Sequence, residues 1–244
     1  MKPKHQKLSG AEVVRQFLAD PAYQERVKAR RLIDEREEIA RREDEKPILA
    51  DLLEVGIRVD SVWDLVNTSA SYPSAIPVLA KHLAHPYFKM NREGLLRALA
   101  VKESKGIADE ALIGMLTSLQ PVSTPEKHQL VWLVGNALPF AASSRSLPLI
   151  ASLAKDPQYA EARDGMIEAL GKWRNPISVE TLVHLLDEPT ACPFVLKALS
   201  KLRPKSVLER VLKIAGNTSG EIHVLAQKVA GQIRDRGWQD SECS

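Results

Sequence analysis

Long apolar runs are missing from this chain. Nowhere do about 18 apolar residues stand together, so no helix is expected to cross a membrane. The N-terminus, MKPKHQKLSG, is basic, but no apolar run follows it, so it does not read as a signal peptide. Aromatic residues are scarce at 5%, and no period-2 alternation is long enough for a strand. Both absences argue against a β-sandwich, where aromatic and β-branched residues dominate. Cysteine is nearly absent: Cys192 and Cys243 stand 51 residues apart, with neither a disulfide framework nor a zinc spacing. A reducing cytoplasm is the expected compartment. An excess of one charge is missing too, for the net charge is only +3. A dedicated nucleic-acid binder carries a strong basic excess or stripe, so nucleic acid is not the expected partner. A nucleophile elbow, a phosphate loop and a dinucleotide fingerprint are all lacking.

What the chain does contain is an internal repeat. Pro86 to Ala100 (PYFKMNREGLLRALA) recurs without a gap at Pro157 to Gly171 (PQYAEARDGMIEALG), an offset of 71 residues. Arg92 matches Arg163, Gly94 matches Gly165, Ala98 matches Ala169 and Leu99 matches Leu170. The offset is too long for one helical hairpin and fits two. Such units must stack on neighbours to bury their apolar faces.

Residues 1–10 read as a disordered N-terminus and 237–244 as a C-terminal tail. Residues 11–46 read as a charged helical extension. From Glu25 to Lys46, 16 of 22 residues are charged, eight of each sign. Opposite charges fall four apart at Arg31 and Glu35, Glu37 and Arg41, and Glu38 and Arg42, which supports an exposed helix. Phe17, Tyr23, Val27, Leu32 and Ile39 make only an interrupted apolar stripe. The extension reads as a solvated helix packed on the first repeat, with a partner-binding or dimerising helix as the alternative.

Regular patterning begins at Pro47, which reads as the first turn of a helix stopped by Gly56. Pairs of apolar helices follow, separated by Pro, Gly, Asn and Ser. First helices are expected over 75–83, 108–119, 147–153, 179–186 and 207–214. Second helices are expected over 91–101, 127–138, 161–173, 194–202 and 221–234. A small-large dipeptide marks each second helix: Ala98-Leu99, Ala137-Leu138, Ala169-Leu170 and Ala198-Leu199, with Val229-Ala230 standing in at the fifth. Small alanines let neighbouring helices approach while leucines fill the layer between them.

The unit resembles the HEAT repeat, and in particular its short bacterial form, the phycobilisome-lyase-type HEAT-like repeat. Arg163, Ile167, Ala169, Leu170 and Gly171 carry the second-helix signature, and Pro157 and Pro189 match the loop after the first helix. The resemblance covers roughly 72–236, with a less typical pair at 47–67. It implies an all-α, right-handed α-solenoid over 47–236. Solenoids of this kind hold partners on the surface lined by their second helices. The resemblance also extends to small bacterial proteins placed beside secreted toxins, so an immunity protein masking a toxin domain is one concrete form that it implies.

By helical phase the alanines and leucines point into the stack. That leaves Glu93, Arg97, Asn136, Asp164, Glu168, Lys172, Lys197 and Lys201 as the candidate ridge for a partner protein. The expected assembly state is a monomer, and no cofactor is expected. The alternative is a DNA-repair enzyme of the alkylpurine glycosylase type, which the repeat family includes. It would use an acidic residue and aromatic side chains drawn from Trp63 with Asp64, Trp132, and Trp173 with Arg174. Trp132 and Trp173 fall at apolar phase, which predicts core packing instead. A cofactor lyase is a third class that the repeat permits, but no motif carries it. His82 and His85 could share a helix face, yet a metal site would need further ligands nearby. HEAT-like metal hydroxylases carry His-Glu dipeptides, and no histidine here is followed by Glu. Cys192, before Pro193, reads as a structural thiol.

Overall fold

The structure, a computed structural model, describes residues 9–238. Cys243 and nearly all of the expected terminal segments fall outside the described residues. The chain divides into two compact units, 1–46 and 47–244. The described residues form thirteen α-helices, and among them the only β-pairing is an isolated bridge between Pro204 and Trp238.

The first unit holds α1 (Gly10–Ala19) and most of α2 (Pro21–Glu54). Ser9 caps α1 by accepting from the Glu12 amide, while the Glu12 carboxylate accepts from the Ser9 amide. The charged extension over 11–46 is helical in two pieces, because α1 ends before Asp20 and α2 starts with Pro21, a residue suited to a first turn. Ion pairs line α2: Arg42 Nε meets Glu38 Oε1 at 2.7 Å, and Arg41 meets both Glu38 and Glu45. Phe17, Leu32 and Ile39 are exposed.

Pro47 does not begin a helix, as its place in the sequence suggested; it lies inside α2. The helix stops where expected. Gly56 adopts φ 81°, its amide donates to the Leu53 carbonyl, and the Ile57 amide donates to the Leu52 carbonyl. This is the left-handed termination that glycine tolerates best.

The second unit continues with α3 (Val62–Val66), α4 (Ala75–His82), α5 (Lys89–Ala98), α6 (Asp109–Ser118), α7 (Pro125–Ala141) and α8 (Leu147–Lys155). It ends with α9 (Ala160–Leu170), α10 (Pro176–Leu185), α11 (Cys192–Leu202), α12 (Leu208–Asn217) and α13 (Gly220–Arg236). Side chains accept backbone amides at several starts: Ser61 for α3, Thr124 for α7 and Asn175 for α10. From α4 onward each helix packs on its pair mate, and α3, α5, α7, α9, α11 and α13 also pack in succession. The five small-large dipeptides all lie in this second row, and none of their ten residues is more than 3% exposed.

Glycine sets how closely the row approaches. A Cβ added at Gly165 would overlap the Gly135 carbonyl, and one at Gly135 would stand 2.8 Å from the Ala162 Cα. At Gly94 the neighbour is Trp63 Nε1, 3.2 Å from such an atom. The repeated glycines Gly94 and Gly165 thus each face the preceding helix of the row.

Gly165→Ala is expected to lower unfolding free energy by about 1–3 kcal/mol or more, because backbone rather than a movable side chain must yield. Leu170→Ala, at a fully buried site, is expected to cost about 2–5 kcal/mol. Gly231→Ala meets nothing within 4 Å and should leave stability unchanged or raise it by about 0.5–1 kcal/mol through helix propensity. Urea denaturation of the three variants checks this order; an unaltered midpoint for Gly165→Ala would show that the crossing is looser than described.

Candidate functional site

α7, α9 and α11 present a groove of about 470 Å³. Trp132, Asn136 and Pro139 come from α7, Asp164 and Glu168 from α9, and Phe194, Lys197 and Lys201 from α11. The spacings of three and four residues place each set on one helical face. Gly165 and Ala198 also line the groove, and their small side chains leave it open.

Five of the eight expected ridge residues therefore share one groove: Asn136, Asp164, Glu168, Lys197 and Lys201. The other three do not. Arg97 is exposed on α5 and lies over the Trp63 ring at 5.9 Å. Lys172 turns back past the end of α9; its Nζ donates to the Pro139 carbonyl at 2.8 Å and lies 4.8 Å from the Phe140 ring centre. Glu93 is only 6% exposed, which removes it from the ridge. The reason is packing: α5 touches α3, α4 and α7 and buries residues round most of its circumference. Glu93 pairs there with Lys89, whose Nζ is 3.7 Å away.

Trp132 also departs from expectation. It is 50% exposed and forms part of the groove rather than the core. Its phase could have been read from Asn136, four residues on and on the same face. Phe194, 37% exposed, is the second aromatic of the groove. Lys197 Nζ lies 5.5 Å from its ring centre, within reach of a cation–π contact. Position alone did not mark Phe194, because the expected α11 began there, whereas the helix starts at Cys192.

The charges of the groove are mixed. Glu168 Oε1 is 3.5 Å from Lys201 Nζ and 3.6 Å from Lys172 Nζ. These are solvent-exposed pairs, which contribute little to stability. The Asp164 carboxyl is raised above its ordinary pKa by partial burial, with Arg163 and Lys197 opposing the shift.

The remaining chemical candidates have structural employment. Asp64, the acid of the repair-enzyme alternative, accepts from the Asp60 and Ser61 amides at 2.9 and 3.0 Å and so caps α3. Trp173 is half-buried against the core, with Lys105 Nζ 4.5 Å from its ring centre. His82 is buried between Tyr87 Oη at 2.6 Å and Asp51 Oδ2 at 3.1 Å. Burial lowers the pKa of its imidazole, and Asp51 opposes. Cys192 is buried, and desolvation, with Asp187 adding to it, pushes its thiol up. That shift disfavours the nucleophilic thiolate. Among the described residues no group of three or more His, Cys, Asp or Glu is disposed to hold a metal ion. No helix among them is long and apolar enough to cross a membrane.

Comparison with protein-family models finds no match to this chain, and neither does comparison with curated proteins or with solved structures. The groove is read from its own chemistry.

Asp164→Asn isolates that chemistry. Because the folded-state pKa lies above the unfolded one, the carboxyl favours the fold when protonated, below about pH 4. That contribution is lost as pH rises through the folded-state value. At pH 7 the Asn variant should therefore melt at or above the wild-type temperature, and the difference should shrink as pH falls below about 4. A variant clearly less stable at pH 7 would mean that Asp164 is held by favourable contacts instead.

Proposed function

We propose that the chain is a HEAT-like, right-handed α-solenoid that acts as a non-catalytic, protein-binding scaffold, and that the groove of α7, α9 and α11 is its partner-binding face. The observation that carries this reading is the exposure of Trp132 and Phe194 beside the charged residues of one groove. Exposed aromatics cost solvation and are enriched where a partner later covers them. Glu168, Lys197 and Lys201 around them give both signs of charge, which suits a protein surface and steers encounter. A phosphate backbone would be repelled by Asp164 and Glu168 in the same groove. Consecutive packing of α3, α5, α7, α9, α11 and α13 supports the solenoid reading, since stacked repeats contact their neighbours in order. The immunity-protein form, in which the groove masks a toxin domain in the cytoplasm, follows from the resemblance alone and makes the scaffold a monomer in its free state.

Affinity capture from the native host with wild type and two variants tests the reading. Trp132→Ala should reduce the captured partner by roughly tenfold or more, as a buried aromatic anchor would. The double reversal Glu168→Lys with Lys197→Glu should leave the helical circular dichroism and melting temperature unchanged while slowing association. Duplex DNA should bind weakly, with little salt dependence. Tight, steeply salt-dependent DNA binding with base excision would sink the scaffold and establish the repair enzyme.

A further inference from the structure

Arg92 holds, in the first copy of the repeat, the position that Arg163 holds in the second. Arg163 Nη1 donates to Glu188 Oε2 at 2.6 Å, although its Nε and Nη2 are buried without a partner. Arg92 is held more loosely, by an ion pair in which Glu126 Oε1 stands 3.6 Å from its Nη1. Its Nε is buried and has no hydrogen-bond partner among the described residues. The side chain is 21% exposed, and Nε is its one donor shut off from water without a partner. A buried donor left without an acceptor is costly. Burial accordingly lowers its pKa, with Glu126 opposing.

Arg92 faces a hollow of about 450 Å³ between α4, α5 and α6. That volume lies in the range of ligand pockets, roughly 300–1,000 Å³. Leu83, Pro86 and Met115 give it apolar walls, and His85 adds a second basic group. Among the described residues no carboxylate lines it. Gly114 lies in the interior of α6, where glycine weakens a helix. A Cβ there would meet nothing within 4 Å, so close packing does not account for the glycine. It lines the hollow, where any larger side chain would take up room.

We propose that this hollow binds a small carboxylate carried on an apolar stem. The guanidinium of Arg92 takes the carboxylate, whose two oxygens match its planar fork. The stem lies on Leu83, Pro86 and Met115, over Gly114. Glu126, close by, disfavours a dianion such as a phosphate monoester, and the apolar walls disfavour acetate-sized acids. The hollow is separate from the groove of α7, α9 and α11, and its ligand does not depend on that groove's partner.

Calorimetric titration of the full chain with sodium octanoate, read together with amide NMR shifts at Gly114 and Ser118, tests the proposal. Octanoate should bind saturably with a single site and shift both amides. Acetate, 1-octanol and octyl phosphate should each bind at least about tenfold more weakly, since each lacks the stem, the charge or the fit to Arg92. Arg92→Met keeps the stem of the side chain and removes the donors; it should weaken octanoate by about ten- to hundredfold. Gly114→Leu should fill the hollow and abolish binding while the melting temperature holds or rises. If the Met variant does not fold, the Leu variant carries the test alone. Absence of saturable octanoate binding, equal affinity in Arg92→Met, or unaltered binding in Gly114→Leu would overturn the site. Octyl phosphate binding more tightly than octanoate would overturn the carboxylate assignment.

Discussion

α7 and α9 meet backbone to backbone at Gly135 and Gly165, and the second unit is organised around that approach. No side chain can stand between two helices whose backbones leave no space for a Cβ. The residues that flank the contact on each helix must therefore look elsewhere. Asn136 and Trp132 do so on α7, and Asp164 and Glu168 on α9, where all four line the groove. Four residues after Gly135 stands Pro139, which has no N–H to return to the Gly135 carbonyl in the usual helical ladder. Lys172 then reaches back to the Pro139 carbonyl, tying the turn after α9 to α7. One close crossing thus positions the groove residues, and Lys172 ties down the turn beside them.

The two copies of the repeated segment, 71 residues apart, use the same residues for different ends. Their glycines keep one job, contact with the preceding helix of the row. Their arginines diverge. Arg163 reaches Glu188 across helices and serves as a tether. Arg92 makes a longer ion pair with Glu126 and lines a hollow. Identity at a repeat position preserves the backbone requirement more faithfully than the side-chain partner. The partner comes from outside the copied segment, the first turn of α7 for Arg92 and the turn after α10 for Arg163, and a shift of well under one ångström separates a hydrogen bond from a longer-range attraction.

Helix placement was legible from residue 75 onward because Pro, Gly, Asn and Ser punctuate short apolar segments with few competing signals. α10 begins behind Asn175 and α7 behind Thr124, both caps that sequence alone displays. The core dipeptides were legible for the same reason, since small and large residues recur at one helical phase. Pro47 misled, because its ring fits both a first turn and, at a cost, a helix interior. Glu93 misled because its burial depends on how many helices surround α5, which no local pattern records. Trp132 misled because it was read at apolar helical phase, although Asn136, four residues on, already marked its face as outward. Four of the five groove residues that were found share a simple trait: Asn136, Glu168, Lys197 and Lys201 are each polar and lie beside a buried small or apolar position on their own helix.

The place of the repeated glycines on the later helix of each joint has a further consequence. Gly94 and Gly165 each fit the helix that comes before them, so a copied segment carries its own half of the junction with it. Trp63 can stand on the far side in one case and Gly135 in the other, because a missing side chain accommodates many neighbours. A new copy would still need a receiving helix that leaves it space, and Gly135 provides that space at the tighter joint.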